Sequence, residues 1–582
     1  MTYQSNSNWE FLEEVDNKIK ESYLPQYQFL ASLLYSRGIK PEDMEEFESP
    51  KLEQIPGFTN LYDSQKAARE IIEALKDGKK IFIHGDFDSD GVCATSILWD
   101  FLYRDAAQML KIDAPAVNPY IPSRVDEGYG LSESSIDNMI EDGAQLIITV
   151  DCGIRDKELI RKYQKEKDVR FIITDHHQPP TDIEEDLDYT IVHQMFPGHE
   201  YPELHICGAT VAFLLTRAIE SEITGKATLD ENTKGLDLVA LATVTDMMPL
   251  KGVNRIFVKY GLDQMRTNPR LGLLKLCTAA QVTNTSIESY QLGYVIGPRV
   301  NASGRIGDPM DAVRMFLTSD SKKAQELAYK LNNLNFERQK ITEQVMESAK
   351  SQIDDKKANM LNFVSGENWP EGIIGLVAGK IQESSGRPTL VVTTNNGETR
   401  GSARSLAGFN ITDAIGEFSD LLEKYGGHEQ AAGFTIKEGK VDEFKKSIED
   451  YANSKLTEDD LKKTVKIDMN INPGDISVKM IETLDVLKPF GYGNSKPVIY
   501  MDSCVITDKF IMGATKNHMK LTVKGEGLGN ASVLMFNCLE DIDILNNDDV
   551  IDIIGSVNLN EWNGNIDAQF IVKEWRKSEI KD

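Results

Sequence analysis

The chain has 582 residues, is 41% hydrophobic and carries 92 acidic against 64 basic side chains, for a formal net charge of −28 and a pI near 4.8. That length supports roughly three or four domains with cores of their own, and no apolar run approaches the ~18 residues of a membrane span. The charge argues against indiscriminate nucleic-acid binding, which relies on Lys and Arg, although bound divalent cations and a local basic groove override a global sum.

The first residues, MTYQSNSNWEFLEEV, have neither a basic nor an apolar segment of the kind a signal peptide needs, so none is expected. Residues 1–60 read as short helices with a break at Pro56-Gly57, an N-terminal helical extension. They hold 11 acidic and 5 basic side chains, in runs such as Glu42-Asp43-Met44-Glu45-Glu46 that read as solvated surface. Six cysteines (Cys93, Cys152, Cys207, Cys277, Cys504, Cys538) lack paired spacing and read as reduced, mostly buried thiols of a cytoplasmic protein.

From about 65 to 250 helices and fully apolar strands alternate: helix 64–76, strand 80–84, helix 91–106, strand 114–118, helix 132–141, strand 146–150, helix 156–166, strand 170–174. This pattern predicts an α/β domain with a mostly parallel sheet covered on both faces, whose active site lies outside the carboxyl ends of its strands. Four segments bear chemistry there. Lys80–Ile83 runs into His84, Asp86, Asp88 and Asp90; Leu146–Val150 into Asp151; Phe171–Thr174 into Asp175, His176 and His177; and Val239–Thr245, taken as a fourth strand end, into Asp246.

Carboxylates with imidazoles suit Mn2+ or Mg2+, whereas thiolate-rich sites select zinc or copper. There are ligands enough for two cations about 4 Å apart, a pair able to activate water and stabilise a phosphoryl group under in-line attack. A calcium loop is the bland reading of the Asp86-x-Asp88-x-Asp90 run, but strand residues precede it and the terminal glutamate position of an EF-hand is missing. Asp151 read alone would be a turn former, Asp175 a cap, and His176-His177 surface histidines; their conjunction at four segment ends is what outweighs those readings. His193, His199 and His205, among Pro197, Gly198 and Pro202, read as loop decoration and are left out.

Helical signals dominate 206–350. Leu327, Leu331, Leu334, Ile341 and Val345 mark an amphipathic helix, roughly 321–349, long enough to bridge two domains. A second α/β unit follows at 350–462. Beyond 463 the periodicity turns to two, in five or six strands that fit a small OB-like barrel.

The motifs HGDFDSDG (84–91), VDCG (150–153), TDHH (174–177) and ATVTDMMPL (242–250) resemble the DHH phosphoesterase superfamily. PRVNASGRIG (298–307), EGIIGLVAG (371–379), SARS (402–405), YGGHEQAAGF (425–434) and LKPFGYGNSKP (487–497) narrow the likeness to its RecJ-type single-strand-specific exonucleases. The resemblance runs from about residue 60 nearly to the C-terminus. It implies a DHH domain (61–320), a connecting helix (321–349), a DHHA1 domain (350–462) and an OB-like nucleic-acid-binding domain (463–582). The activity it implies is metal-dependent 5′→3′ degradation of single-stranded DNA to 5′-mononucleotides in recombination and repair.

By the same resemblance His84, Asp88 and Asp151 hold one cation, Mn2+ or Mg2+, and Asp90, Asp151, His176 and Asp246 the other, with Asp151 bridging. His177 would hold the scissile phosphate, and Asp86 would support the loop or a ligand from behind. Arg124, Arg305, Ser402, Arg404, Gly426, Gly427 and His428 would bind the strand, the last five from a lid. Single-stranded DNA is the implied partner of a monomer outside the membrane, with a single-strand-binding protein and a RecQ-like helicase as candidate protein partners.

Two departures stand out. Trp369-Pro370 replaces the family's usual Trp-His, removing a donor to DNA, and Phe87 and Ser89 replace the usual Tyr and aliphatic residue of the first motif, neither of them a ligand. Lys488, Lys496, Lys516 and Lys520 are candidate backbone contacts on the barrel, and Phe490 and Tyr492 candidate stacking residues. Competing readings are a DHH phosphodiesterase of short RNA oligonucleotides or cyclic dinucleotides, and a catalytically silent Cdc45-like replication scaffold. The barrel speaks against the first and the intact ligand set against the second.

Overall fold

The computed structural model describes residues 3–578 except 6, 125, 126, 129, 182, 184–186, 228, 354–358, 526–528 and 563. The chain forms two compact units, one of residues 51–454 with 489–494 and the other of 1–50, 455–488 and 495–582.

In the first unit five parallel strands lie in the order Val117–Tyr120, Ile81–Gly85, Leu146–Val150, Arg170–Thr174, Thr190–Val192. Successive side chains of a strand point to opposite faces, and here both faces are buried. Ile81, Ile83, Ile148 and Ile172 join the core that packs helices Ser64–Lys76, Ser89–Asp100 and Gly208–Thr224, while Phe82, Ile147, Phe171 and Ile173 join a second core beneath Glu133–Glu141 and Lys157–Glu166. The uninterrupted apolar runs of these strands follow from that double burial.

One expectation is corrected. Val239–Thr245 is not a strand; it belongs to helix Leu236–Thr245, and Asp246 is that helix's C-terminal cap. The segment LDLVALATVT is apolar on every side because the helix is buried all round, so neither a period of two nor one of 3.6 marks it.

Helix Ser321–Lys350 buries Ala324, Ala328, Leu331, Val345 and Ala349, and runs into a five-stranded sheet of order Leu422–His428, Ala431–Ile436, Glu398–Arg404, Thr389–Asn395, Asn362–Glu367. Glu371–Ser385 covers that sheet, packing Ile373, Ile374 and Val377 against Val345, Val364 and Val391.

The second unit is built on a closed barrel. Ile499–Met512, His518–Lys524, Asn530–Met535, Asn565–Lys577 and Val550–Trp562 follow in order, and the last pairs back with the first. Residues 1–50 belong to this unit: Asn8–Phe11 pairs in parallel with Thr464–Ile467. Asp541, fully buried, accepts hydrogen bonds from the Trp575 indole N–H at 2.7 Å and from the Tyr3 backbone N–H at 2.9 Å. Asp541→Ala would strand the buried indole donor and is expected to cost roughly 1–3 kcal/mol, read as a lower denaturation midpoint of this unit.

Candidate metal centre

The three strand ends and the C-terminus of helix Leu236–Thr245 converge on one cluster. His84, Asp90, Asp151 and His176 are all buried there, and Asp86 is 5% exposed. Ligand atoms lie within 4.8 Å of one another in three overlapping groups: Asp86, Asp88 and Asp151; Asp90, His176 and Asp246; and Asp151, His176 and His177.

Local backbone chemistry sets each side chain. Asp88 caps helix Ser89–Asp100, accepting from the Asp90 and Gly91 N–H groups at 2.9 and 3.2 Å. Gly91 is required because a Cβ would lie 2.3 Å from the Asp86 carbonyl oxygen. The Asp90 oxygens accept from the Gly208 and Ala209 N–H groups at 2.6 and 2.7 Å, at the start of helix Gly208–Thr224. Asp151 adopts a left-handed backbone, φ +64°.

The His176 Nδ1 lies 3.0 Å from the Ile206 carbonyl, which can only accept, so Nδ1 carries the proton and Nε2 presents a lone pair. That lone pair faces Asp151 Oδ1 at 3.1 Å, Asp246 Oδ2 at 3.6 Å and Asp90 Oδ2 at 3.7 Å. His84 stacks on Tyr120, with ring centroids 5.6 Å apart, and its Nδ1 is 3.5 Å from the Cys152 sulfur.

Among the described residues, His84 Nε2, Asp86 Oδ1, Asp151 Oδ1, His176 Nε2 and Asp246 Oδ2 are buried without a hydrogen-bond partner. Burial, then the neighbouring carboxylates, pushes Asp86, Asp151 and Asp246 well above the usual carboxylate range, and burial lowers His84 to about 4. Acceptors gathered this way repel one another, and an unsatisfied buried polar atom is costly. Oxygens and neutral imidazoles around one space are the donor set of a hard or borderline divalent cation, so the residues present fit such an ion.

His177 is held separately. Its Nδ1 lies 2.8 Å from Asp175 Oδ1, which also accepts from the His176 and His177 N–H groups, while Asp175 Oδ2 accepts from the Ile154 N–H. Burial opposes the charge on both residues; their mutual attraction prevails, lowering Asp175 and raising His177. Asp175→Asn is therefore expected to make His177 lose its proton at lower pH, read by NMR titration of the ring; an unmoved titration would detach the raised value from Asp175. His193 is fully buried: it donates from Nε2 to the His177 carbonyl and accepts at Nδ1 from the Met195 N–H. Loop decoration is thus the wrong reading of His193, though His199 and His205 are exposed.

Of the remaining candidates, Arg124, Arg305 and Arg404 form an arginine rim, near enough to feel one another's charge. Arg124 lies over the Phe87 ring at 4.9 Å, and Arg305 donates to the Gly372 carbonyl. Burial, then the neighbouring charges of Arg124 and Arg338, pushes Arg305 down to about 10. Arg404 donates to Ser402 Oγ at 3.1 Å. Ser402, Gly433 and Gly426 are successive cross-strand neighbours, while Gly426, Gly427 and His428 lie on the exposed strand Leu422–His428. Sequence reasoning passed over Arg299, held by Asn332 Oδ1 at 2.9 Å, and Arg338, held by Asn335 Oδ1 at 2.9 Å. It also passed over Asn301, whose Oδ1 accepts from the Ser89 N–H and hydroxyl at 2.7 and 2.8 Å. A polar residue at 89 therefore ties the acidic loop to helix Gly297–Ile306. The paired signal was PRVNASGRIG opposite the acidic motif.

Residues 80–243 match the DHH family N-terminal domain, 357–454 the DHHA1 domain and 467–574 the RecJ OB domain. The chain is 33% identical over 586 residues to the single-stranded-DNA-specific exonuclease RecJ of Bacillus subtilis, an alignment covering 99% of this chain and 71% of that protein. Its identity to the RecJ of Thermus thermophilus is 32% over 559 residues, covering 94% and 75%. The crystal structure of the Thermus thermophilus RecJ in complex with Mn2+ superposes with a TM-score of 0.81 at 28% identity, covering 98% of this chain and 80% of that one. The chain therefore belongs to the RecJ family of single-stranded-DNA-specific exonucleases.

Proposed function

We propose that this protein hydrolyses single-stranded DNA from the 5′ end to 5′-mononucleotides, using two divalent cations, Mn2+ or Mg2+, in the buried cluster. The observation that carries this reading is the set of partnerless acceptors from His84, Asp86, Asp151, His176 and Asp246 around one space. His84, Asp88 and Asp151 would hold one cation, and Asp90, Asp151, His176 and Asp246 the other. The grouping of Asp86 with Asp88 and Asp151 supports a place for it beside the first cation. Such a pair supplies an activated water and positive charge against the phosphoryl oxygens.

The chain's own side chains do the rest. His177, whose protonated form Asp175 favours, donates to the scissile phosphate. Arg124, Arg305 and Arg404 offer guanidinium forks to phosphate oxygens, beside Ser402. Gly426, Gly427 and His428 border the strand from the DHHA1 lid. Asp90 is oriented by the N-terminus of helix Gly208–Thr224 and His176 by the Ile206 carbonyl, so neither must reorganise on loading. A single-strand-binding protein and a RecQ-like helicase are the expected protein partners, with a cytoplasmic monomer as the working form.

Digestion of 5′- and 3′-labelled single strands of DNA and RNA with Mn2+ tests this. Release of labelled mononucleotide from the 5′ end of DNA is expected. Equal release from both ends, or a preference for short RNA, would overturn it.

A further inference from the structure

The helical run Ser289–Ile306 is interrupted once, by a π-turn at Leu292–Ile296. Near its C-terminal end Asn301 holds the acidic loop through Ser89, and Arg305 belongs to the arginine rim. Stepping back from Arg305 by four, three, four and four residues gives Asn301, Pro298, Tyr294 and Tyr290, the spacing of one helix face. At its far end that face carries two tyrosine rings stacked on each other, centroids 4.9 Å apart and planes 26° from parallel. They are 61% and 73% exposed, unusual for a preassembled aromatic pair.

Glycines of the same run pack against the helix that ends at Asp246. A Cβ on Gly297 would lie 2.2 Å from Thr245 Cγ2, and one on Gly293 3.4 Å from Val244 Cγ1, next to Asp246. The turn 489–494 clamps the same region: Ser289 Oγ donates to the Phe490 carbonyl at 2.5 Å and the Leu250 N–H to the Tyr492 carbonyl at 2.8 Å. Tyr492 is itself 59% exposed. Flat aromatic faces on the same helical run as Arg299 and Arg305 are what a sequence-indifferent single strand requires, bases on rings and phosphates on guanidiniums.

We infer that Tyr290 and Tyr294 stack bases of the single strand on the 3′ side of the scissile phosphate. This rests on the proposed function, because release of mononucleotides leaves one nucleotide 5′ of the bond. Tyr294 is eleven residues from Arg305, about 16 Å along a helix, beyond the reach of that one nucleotide. The tyrosines are positioning residues: they hold the uncut strand in register with the cations.

The test compares wild type, Tyr290→Ala/Tyr294→Ala, Tyr290→Phe/Tyr294→Phe and Tyr294→Ala on a long single strand and on a trinucleotide. The double alanine variant is expected to raise KM for the long strand by about tenfold or more. Its kcat there, and its KM for the trinucleotide, should not move; the phenylalanine pair should restore the long-strand KM, since stacking needs the ring and not the hydroxyl. Quenching of 2-aminopurine in a bound strand should fall at one position in both alanine variants. An unchanged long-strand KM, or equal losses on both substrates, overturns the inference. Failure of the wild type to digest single-stranded DNA would instead overturn the proposed function.

Discussion

Asp151→Asn is expected to lower exonuclease turnover by about 1,000-fold or more while raising the thermal stability of the metal-free protein. Asp151 sits at the centre of the cluster, its Oδ1 partnerless and 3.1 Å from a lone pair on His176. Burial and the charges of Asp90, Asp88, Asp86 and Asp246 all oppose its ionisation. Removing one negative charge without a counter-ion relieves roughly 1–3 kcal/mol of repulsion and desolvation. Asparagine tolerates the left-handed backbone at 151, so the substitution isolates charge from strain.

The stability gain carries a pH signature. A carboxyl whose pKa is raised by folding costs the fold stability progressively as pH climbs from its unfolded value towards the raised one, so the variant's advantage should be absent in acid and grow as pH rises. Mn2+ should raise the wild-type melting temperature with concentration, by mass action, and leave the variant nearly flat. Calorimetric Mn2+ titration and thermal melts read both effects. Turnover within tenfold of wild type would remove Asp151 from the shared position.

Gly208→Ala should be damaging out of proportion to the one methyl group it adds. Alanine in a helix is ordinarily better than glycine by up to about 1 kcal/mol. Here a Cβ would lie 2.7 Å from both the Cβ and Oδ1 of Asp151. The Asp151 Cβ is fixed by its backbone, so no side-chain rotation clears it, and the helix must retreat from the turn at 151. The Gly208 and Ala209 N–H groups that hold Asp90 retreat with it. A loss of about 10–100-fold in Mn2+ affinity and in kcat is expected, with helix content intact by circular dichroism. Wild-type Mn2+ affinity would show that the two ligands tolerate the shift.

How much was legible varies with the kind of signal. Strands Leu146–Val150 and Arg170–Thr174 can be read to the residue because burial on both faces leaves an unbroken apolar run ending in charge. The identical cue misled at Val239–Thr245, where a helix buried all round has the same composition. Arg338 and Arg299 look like any charged helix positions until Asn335 and Asn332 are seen to hold them. The pairing of Asn8–Phe11 with Thr464–Ile467 joins segments 456 residues apart, and no local pattern announces it.

The order of residues alone specifies the chemistry: carboxylates and imidazoles in set motifs, the two α/β domains, the bridging helix and the barrel, and through the motifs the family. Residue type dictates which atoms can bind a cation, and strand periodicity dictates where such residues emerge. Folding had to supply the rest: that Asp246 arrives from a helix, that Asp175 and His193 stand behind His177, and that His176 turns a lone pair toward three acids. Those outcomes depend on which groups are left facing one another once water is excluded. Desolvation, tautomer and repulsion are properties of neighbours in space, and the neighbours of Asp151 come from separate stretches of the chain.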